Sequence, residues 1–407
     1  MRGSTASTQP NLQIADRECR EKTHQPAIRV LTLTPFYPTA SDDAGGCFVA
    51  EPLRQLEELG VDSSVVAVRP WYRGSAGSNS IAPVATWIRY GSIPGGIGLA
   101  SAGTFLYAGL ISRIRKLHRS QRVDLIHAHA ALPCGHAAVL LSRELNIPCV
   151  VTVHGLDAFF DNQVHGYAGQ CCKRVTQSVY RLASRVICIS DKVAGNVGDG
   201  AEAPVNMRVI YNGVDAQMFS PAPTNSLPNT ILSVGNLISI KGHELLLRAL
   251  AAILPQYPQI SCEIVGDGPE RQRLSRLASD CNVAGRVRFL GRQSRKQVAE
   301  AMRRCVLFAL PSRYEGLGCV YLEAMSTAKP VIACRGQGID EIIQHGRNGW
   351  LIHPGNLPEL VEALSALMQS LQLRRQIGEA ARRTVLQSFT SAHQATQLAV
   401  VYRECMP

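Results

Sequence analysis

Short runs rich in β-branched residues alternate with helical patterns along almost the whole of this chain. The series begins near Ala27 and starts again at Asn229, after a Pro-rich segment at residues 220–224. Strands that alternate with helices are typical of βαβ units, which build a parallel sheet covered by helices. Because the alternation runs twice, we predict an α/β protein of two doubly wound, Rossmann-like domains that face a common cleft.

This restart divides the chain into predicted segments. Residues 27–220 form the first domain and residues 221–385 the second, and residues 386–407 are expected to form a helix that packs back on the first domain. Residues 1–26 contain mixed charges without an apolar run, so we expect a disordered N-terminal extension there. With 407 residues in the chain, each domain is long enough to bury its own core.

The charge balance indicates an anionic partner. The chain has 42 Lys and Arg against 31 Asp and Glu, a formal net charge of +11. Phosphate groups, nucleic acid and an acidic membrane surface would all complement this charge, and its sign does not choose among them. Residues 264–305 alone hold ten basic and four acidic side chains, which we interpret as a largely solvated helical face.

One uncharged stretch, residues 90–112, has the length of a membrane span. It contains Pro94 and six glycines, so we expect instead a Gly-rich loop followed by an amphipathic helix over residues 99–119. The helix ends in a basic run of Arg113, Arg115, Lys116 and Arg119. This run either complements the helix dipole or forms a surface for anionic lipid headgroups.

Glycines and polar residues follow most of the predicted strands, where the ligand site of a parallel sheet lies. The most informative segment is 311–325, PSRYEGLGCVYLEAM. Gly316 and Gly318 free a loop to aim backbone N–H groups outward just before a helix, which is a typical site for a diphosphate. Glu315 and Glu323 are eight positions apart, so they suit two hydroxyl-bearing parts of one ligand better than a close acid and base pair.

Two further polar residues follow strands at positions from which they could reach a ligand. Lys241 lies past a predicted strand and just before a helix, where its ammonium can reach a phosphate. His154 follows the apolar run 149–153 and precedes Gly155. The alternatives are a solvated surface lysine and a satisfied structural histidine.

Motifs for a metal or a cofactor are missing from the sequence. His127 and His129 resemble a metal pair, but no third ligand stands at a suitable spacing, so we expect neither a metal nor a cofactor. The chain also lacks a Walker A loop, a Gly-x-Ser-x-Gly motif and the third glycine of a dinucleotide fingerprint. These absences disfavour hydrolases and dehydrogenases.

The ordered combination of motifs resembles the retaining glycosyltransferases of family 4, which have the two-domain GT-B fold. The resemblance covers residues 27–406 and rests on the Glu-x₇-Glu pattern from Glu315 to Glu323, with further motifs at 212–219, 266–269 and 346–349. Residues 46–49 and 154–157 are similar to the subgroup that builds bacterial cell-surface polysaccharides.

This resemblance implies an acceptor-binding first domain and a second domain that binds a UDP- or GDP-sugar. Glu323 would hold the ribose hydroxyls and Glu315 a sugar hydroxyl. Lys241 would stabilise the departing diphosphate, and His154 would line the acceptor side, so Lys241, Glu315 and His154 are the expected catalytic residues. The residues expected to bind the donor are Gly45, Gly46, Asn236, Lys241, Gly266, Gly268, Arg292, Glu315, Gly316, Leu317, Gly318, Cys319, Val320 and Glu323.

The implied reaction is metal-independent transfer of a hexosyl or N-acetylhexosaminyl group, with retention, to a lipid-linked or polysaccharide acceptor. We expect a cytoplasmic enzyme with a peripheral contact at the inner face of the cell membrane through the basic run at 113–119. Asn236 stands where the family commonly has Arg, so Lys241 or Arg313 would carry more of the phosphate charge. Ala328 stands where glycine is frequent.

Other functions have weaker support. A nucleotide-sugar epimerase needs an acid and base pair, and a phosphorylase needs a lysine that carries a pyridoxal cofactor, and neither has a convincing spacing here. A non-catalytic nucleic-acid-binding protein needs basic and aromatic residues interleaved on one surface, and only 6% of the residues are aromatic. We therefore expect no nucleic-acid partner.

Overall fold

The computed structural model describes residues 27–74, 83–96, 98–155, 164, 166–198, 206–221 and 229–406. These residues form two open sheets in which all paired strands are parallel. The predicted extension at 1–26 and most of the Pro-rich segment at 220–224 lie outside the described residues.

The first sheet has seven strands in the order β3-β2-β1-β4-β5-β6-β7. Its elements are β1 (Ile28–Thr34), α1 (Cys47–Glu58), β2 (Val61–Pro70), β3 (Ala85–Tyr90), α2 (Leu99–Ser120), β4 (Leu125–His129), α3 (His136–Leu145), β5 (Cys149–Val153), α4 (Gly166–Leu182), β6 (Arg185–Cys188), α5 (Asp191–Gly198) and β7 (Met207–Val209). The order reverses between β1 and β4, which opens a crevice at their carboxyl ends.

The second sheet has six strands in the order β10-β9-β8-β11-β12-β13. Its elements are β8 (Thr230–Val234), α6 (His243–Ile253), β9 (Ser261–Val265), α7 (Arg271–Asp280), β10 (Val287–Gly291), α8 (Arg295–Arg304), β11 (Leu307–Ala309), α9 (Cys319–Ser326), β12 (Val331–Cys334), β13 (Trp350–Ile352), α10 (Leu357–Gln369), α11 (Leu371–Ser388) and α12 (Ser391–Glu404). Here the order reverses between β8 and β11, so the second crevice lies beside those strands.

Continuous apolar runs made the central strands predictable. All residues of β4, β5 and β12 are buried, as expected for strands with helices on both faces. The edge strand β3 was not predicted, because its sequence ATWIRY contains Arg89 and only its two end residues are buried. Pairing with β2 from Val65↔Ala85 onward therefore determines β3 more than its own pattern does.

The stretch at 90–112 forms the end of β3, a short 3₁₀ turn at Pro94–Gly96 and the first part of α2. Helix α2 buries Leu106, Leu110 and Ile114 and exposes its other face. In the part of the chain that the structure describes, no helix combines the length and the hydropathy that a membrane crossing requires.

The chain returns to the first sheet at its C-terminal end. Helix α11 continues past residue 385, the predicted end of the second domain, as far as Ser388, and the chain crosses back at 389–390. At the crossover the N–H of Val214 donates to the carbonyl of Phe389 at 3.0 Å, and the N–H of Ser391 donates to the carbonyl of Val214 at 3.0 Å. Helix α12 then packs beside α1, with Leu398 and Tyr402 in the core of the first domain.

Candidate active site

The glycines after β8 and β9 allow two loops to lie directly against each other. Gly266 has φ 132°, and a Cβ at this position would overlap the carbonyl of Gly235. A Cβ on Gly268 would lie 2.5 Å from the carbonyl oxygen of Leu237. The N–H of Leu237 donates to the carbonyl of Asp267 at 3.0 Å, which fixes the pair of loops at the edge of the cleft, next to the exposed side chain of Asn236.

Lys241 and Glu315 lie together, as expected from their positions after β8 and β11. Lys241 ends a 3₁₀ turn, and Gly242, with φ 73°, lets that turn pack against the carbonyl of Pro311. The Lys241 Nζ atom lies 2.6 Å from Glu315 Oε1, and the two side chains are only 18% and 10% exposed. An ion pair this far from solvent holds the ammonium in one place at the cleft.

The loop before α9 has the geometry of an anion site. Gly318 is the N-cap residue of α9, with φ 81°. Leu317 precedes it in the chain, and Cys319 and Val320 are the first two residues of the helix. The first N–H groups of any helix lack intrahelical partners, and the helix dipole adds positive potential there. The carbonyl of Gly316 accepts a 2.6 Å hydrogen bond from Ser190 Oγ in the first domain, so the loop forms part of the interdomain contact.

Gln337, in the loop after β12, is a buried residue that supports Glu315. Its Oε1 accepts a 3.0 Å hydrogen bond from the N–H of Glu315, and the N–H of Gly338 donates to the carbonyl of Glu315 at 3.2 Å. The backbone of Glu315 is therefore fixed on both sides. Arg313, by contrast, is exposed, and its guanidinium donates to the carbonyl of Ser239 at 3.4 Å.

Glu323 is buried on α9 and is bound by an arginine that the sequence did not single out. Arg295 donates from one guanidinium nitrogen to Glu323 Oε1 and from the other to Glu51 Oε1 of the first domain. The sequence predicts a largely solvated face for the basic segment 264–305. Arg295 departs from that prediction, because it is only 7% exposed. The sequence signal that could have singled out Arg295 is its position at the start of α8, directly after Ser294, whose capping box marks the helix start.

The Gly45–Gly46 loop of the first domain contacts the second domain directly. Gly46 is the N-cap residue of α1 with φ 82°, and a Cβ there would lie 2.5 Å from the nitrogen of Tyr37. Asp42 accepts from the N–H of Gly45 at 2.9 Å and pairs with Arg292 across the cleft at 3.1 Å. Gly45, Gly46 and Arg292 are thus brought into one region, as the sequence predicted.

His154 belongs to a group of histidines at the carboxyl ends of β4 and β5. His129 Nδ1 lies 3.0 Å from His154 Nε2, and the two rings are stacked at 5.2 Å between centroids. Phe36 and Phe48 pack against the His154 ring. Burial, with a further contribution from His127, lowers the pKa of His154 to about 3, so this imidazole is neutral at pH 7. Asp157, from the predicted motif 154–157, lies outside the described residues.

The resemblance of His127 and His129 to a metal pair has a structural explanation. His127 Nδ1 lies 2.7 Å from the Tyr402 hydroxyl, and its Nε2 lies 2.7 Å from Thr152 Oγ1. Burial lowers the pKa of His127 to about 3. Within the described ranges, no group of three or more His, Cys, Asp or Glu side chains could hold a metal ion.

The basic run on α2 lies on the exposed face of that helix. Arg113, Arg115, Lys116 and Arg119 are all exposed, and Arg115 pairs with Glu144 of α3. Arg115, Lys116 and Arg119 line an open surface depression together with Ser112 and Ser120. These residues form a surface separate from the interdomain contacts described above.

Comparison with known proteins agrees with this architecture. The family model described as Glycosyltransferase Family 4 matches residues 48–218, and the model described as Glycosyl transferases group 1 matches residues 216–384. An uncharacterized glycosyltransferase of Methanocaldococcus jannaschii is 32% identical over 266 residues, which are 65% of this chain and 71% of that protein. The N-acetyl-alpha-D-glucosaminyl L-malate synthase of Bacillus anthracis is 26% identical over 73% of this chain and 79% of its own length.

Solved structures show the same fold at lower identity. Sucrose-phosphate synthase from Thermosynechococcus elongatus has a TM-score of 0.75 and 22% identity, over 92% of this chain and 98% of that one. The Anabaena protein HepE in complex with UDP-glucose has a TM-score of 0.73 and 21% identity, over 93% of this chain and 100% of that one.

Two parallel-sheet domains that contact each other at the carboxyl ends of their strands define the GT-B fold. The chain belongs to family 4 of the glycosyltransferases and is a transferase. The fold class and the family predicted from the sequence are both confirmed.

Proposed function

We propose that this enzyme transfers a hexosyl or N-acetylhexosaminyl group, with retention, from a UDP- or GDP-sugar to a lipid-linked or polysaccharide acceptor in bacterial surface glycan synthesis. The observation that carries the proposal is the largely buried Lys241–Glu315 pair, with 2.6 Å between Nζ and Oε1, directly before the glycine loop that begins α9. A fixed cation beside a helix N-terminus is a complementary environment for a diphosphate leaving group.

The donor would bind mainly to the second domain. The backbone of Leu317–Val320 would receive the diphosphate, Glu323 the ribose hydroxyls and Glu315 a sugar hydroxyl. Asn236, Gly266 and Gly268 would border the phosphates, and Arg292 with the Gly45–Gly46 loop would cover the donor from the cleft side. Asn236 lacks the charge of an arginine, so Lys241 would be the principal cation at the leaving group.

In the proposed reaction the acceptor hydroxyl attacks the anomeric carbon from the side on which the diphosphate departs. The C–O bond to the diphosphate breaks, the bond to the acceptor oxygen forms, and the acceptor proton passes to a departing phosphate oxygen. Glu315 is paired with Lys241, which makes it a weak nucleophile and favours this front-face route over a covalent intermediate. Lys241 stabilises the negative charge that develops on the leaving group.

His154 would line the acceptor side as a neutral hydrogen-bonding group. Its pKa of about 3, lowered mainly by burial, makes it a poor base for an acceptor hydroxyl. The proton transfer to the leaving phosphate requires no such base. A neutral His154 is therefore consistent with the proposed front-face reaction.

The relatives support the donor class. HepE was crystallised with UDP and with UDP-glucose, and the name of the Bacillus anthracis relative specifies an N-acetylglucosaminyl group. A further structural neighbour is a lipopolysaccharide outer core galactosyltransferase, with a TM-score of 0.65 and 16% identity. From these names we infer a nucleotide-diphosphate sugar for this enzyme. That the reaction needs no metal or other cofactor is a separate part of the proposal, which the test below addresses with EDTA.

The test is a screen of UDP-glucose, UDP-galactose, UDP-N-acetylglucosamine and GDP-mannose, with and without EDTA. We expect release of nucleotide diphosphate from at least one donor, unchanged by EDTA, and an α-linked product by NMR with a suitable acceptor. Glu323→Gln should abolish turnover, whereas Glu244→Gln, an exposed carboxylate outside the cleft, should not. Absence of nucleotide binding and release with every donor would overturn the proposal.

We also propose that the exposed face of α2 contacts the inner face of the cell membrane. Phe105 is 58% exposed, and Ser112, Lys116 and Arg119 follow it at helical spacing on the same face. Each basic residue near an anionic surface contributes about 1 kcal/mol. Changing Arg113, Lys116 and Arg119 to Gln should therefore reduce binding to phosphatidylglycerol vesicles on the order of 100-fold.

The matched control removes the same charge from the second domain. Arg347, Arg375 and Arg383 are exposed there, and their triple change to Gln lowers the net charge equally. Sedimentation with vesicles should be lost only in the α2 variant. Equal losses in both variants would mean that net charge, and not the α2 face, drives binding.

A further inference from the structure

Arg295 is a buried arginine at the junction of the two domains. It is the only arginine in the buried class among the described residues, and it begins α8 directly after the β10 loop that contains Arg292. Its guanidinium lies 4.7 Å from the ring of Phe219, which is fully buried beside the interdomain crossover. Burying a charged group costs free energy unless the group is paired and hydrogen-bonded.

The partners of Arg295 come from both domains. One guanidinium nitrogen donates to Glu323 in α9 and the other to Glu51 in α1, while the backbone N–H of Arg295 donates to the Asp43 carboxylate at 3.0 Å. Burial opposes the charge of Arg295, but Glu323 and Glu51 outweigh it, so its pKa is raised above the ordinary value. Burial raises the pKa of Glu51 against the opposing effect of Arg295.

The guanidinium of Arg295 donates hydrogen bonds to the carboxylates of both Glu323 and Glu51. The orientation of the Glu323 carboxylate therefore depends on Arg295. The hydrogen bond from Arg295 uses Oε1 of Glu323, which directs Oε2 as the acceptor for another donor. Glu51 lies on α1, whose N-cap is Gly46, the glycine expected to close over the diphosphate. Arg295 therefore joins the carboxylate expected to bind ribose to the helix that carries the closing loop.

We propose that Arg295 is a positioning residue, which orients Glu323 for the ribose hydroxyls of the donor and couples that orientation to domain closure through Glu51. The inference rests on the proposed function, because it takes a nucleotide as the ligand of Glu323. Arg295 itself need not touch the donor.

The first experiment measures discrimination between ribose and deoxyribose. Calorimetry would give the dissociation constants of UDP and GDP and of their 2′-deoxy counterparts for the full-length protein. A hydrogen bond to a charged group contributes about 1.5–3 kcal/mol, so wild-type protein should prefer the ribonucleotide by roughly 10-fold or more. In Arg295→Met this preference should fall at least fivefold, and Arg295→Lys, which keeps a charge, should restore part of it.

Glu51→Gln separates the two parts of the proposal. It leaves the contact of Arg295 with Glu323 in place, so the preference for ribose should stay within twofold of wild type while kcat falls. Arg248→Met is the control, because Arg248 is an exposed arginine in a surface pair with Glu244. Circular dichroism and thermal melting identify any variant that is not folded, and Arg295→Lys then provides the measurement in place of Arg295→Met.

The two possible failures can be told apart. If wild-type protein binds the nucleotides and folded Arg295→Met or Arg295→Lys keeps the full preference for ribose, the role of Arg295 is overturned and the proposed function stands. If wild-type protein binds neither UDP nor GDP, both fall together.

Discussion

The hydroxyl of Tyr402, in α12, lies 2.7 Å from Nδ1 of His127, in the middle of β4. Both residues are buried, and 275 positions separate them in the sequence. His127 in turn lies at 4.4 Å between ring centroids from His129, which contacts His154. Helix α12 therefore supports the histidines in β4 and after β5 at the cleft.

Tyr402→Phe should destabilise the protein. The substitution leaves Nδ1 of His127 buried without its partner, which costs about 1–3 kcal/mol. Urea denaturation followed by circular dichroism would measure the change in the free energy of unfolding. Tyr167→Phe is the matched control, since Tyr167 is 78% exposed and its change should have no measurable effect. Equal stability of the two variants would show that the Tyr402 hydroxyl contributes nothing.

Lys241→Met should lower kcat by about 10²–10³-fold, because it removes the charge that we propose stabilises the leaving diphosphate. The variant also leaves Glu315 buried without its cation, so thermal melting must accompany the kinetics. Lys296→Met, an exposed lysine on α8, provides the control and should retain wild-type kcat. A folded Lys241→Met enzyme with wild-type kcat would show that Lys241 does not stabilise the leaving group.

Ala328→Gly should stabilise the protein, although it removes a side chain. Ala328 follows α9 with φ 57°, and the N–H of Lys329 donates to the carbonyl of Ala324 at 3.1 Å, which is a helix end that glycine favours. The left-handed conformation costs a non-glycine residue about 1–2 kcal/mol, partly offset by the larger unfolded-state entropy of glycine.

The net gain for Ala328→Gly should be about 0.5–1 kcal/mol in the free energy of unfolding, measured by urea denaturation. Gly109→Ala makes the opposite substitution at an open position in the exposed face of α2 and should also stabilise. Destabilisation by Ala328→Gly would contradict the backbone argument.

Local patterns were sufficient to predict the two sheets and the glycine loops that follow their strands, because apolar runs and glycines report directly on strands and turns. They were not sufficient for β3, whose pairing with β2 determines it. Arg295 was missed because its carboxylate partners are 28 and 244 positions away, so only the tertiary structure distinguishes it from its solvated neighbours. The Tyr402–His127 contact was missed for the same reason.

The buried histidines make stability depend on pH in a defined direction. Burial lowers the pKa of His127 to about 3 and that of His243 to about 4, below the ordinary value of 6.5. The unfolded chain therefore binds more protons than the folded chain between these pKa values and 6.5, so stability falls as the pH is lowered through this window.

Each of these histidines should lower the free energy of unfolding by up to about 2 kcal/mol between pH 7 and pH 5. Urea denaturation at several pH values would measure the slope, which should decrease in His243→Gln, because glutamine does not titrate. A slope that is identical in wild type and His243→Gln would show that His243 is not held neutral by the fold.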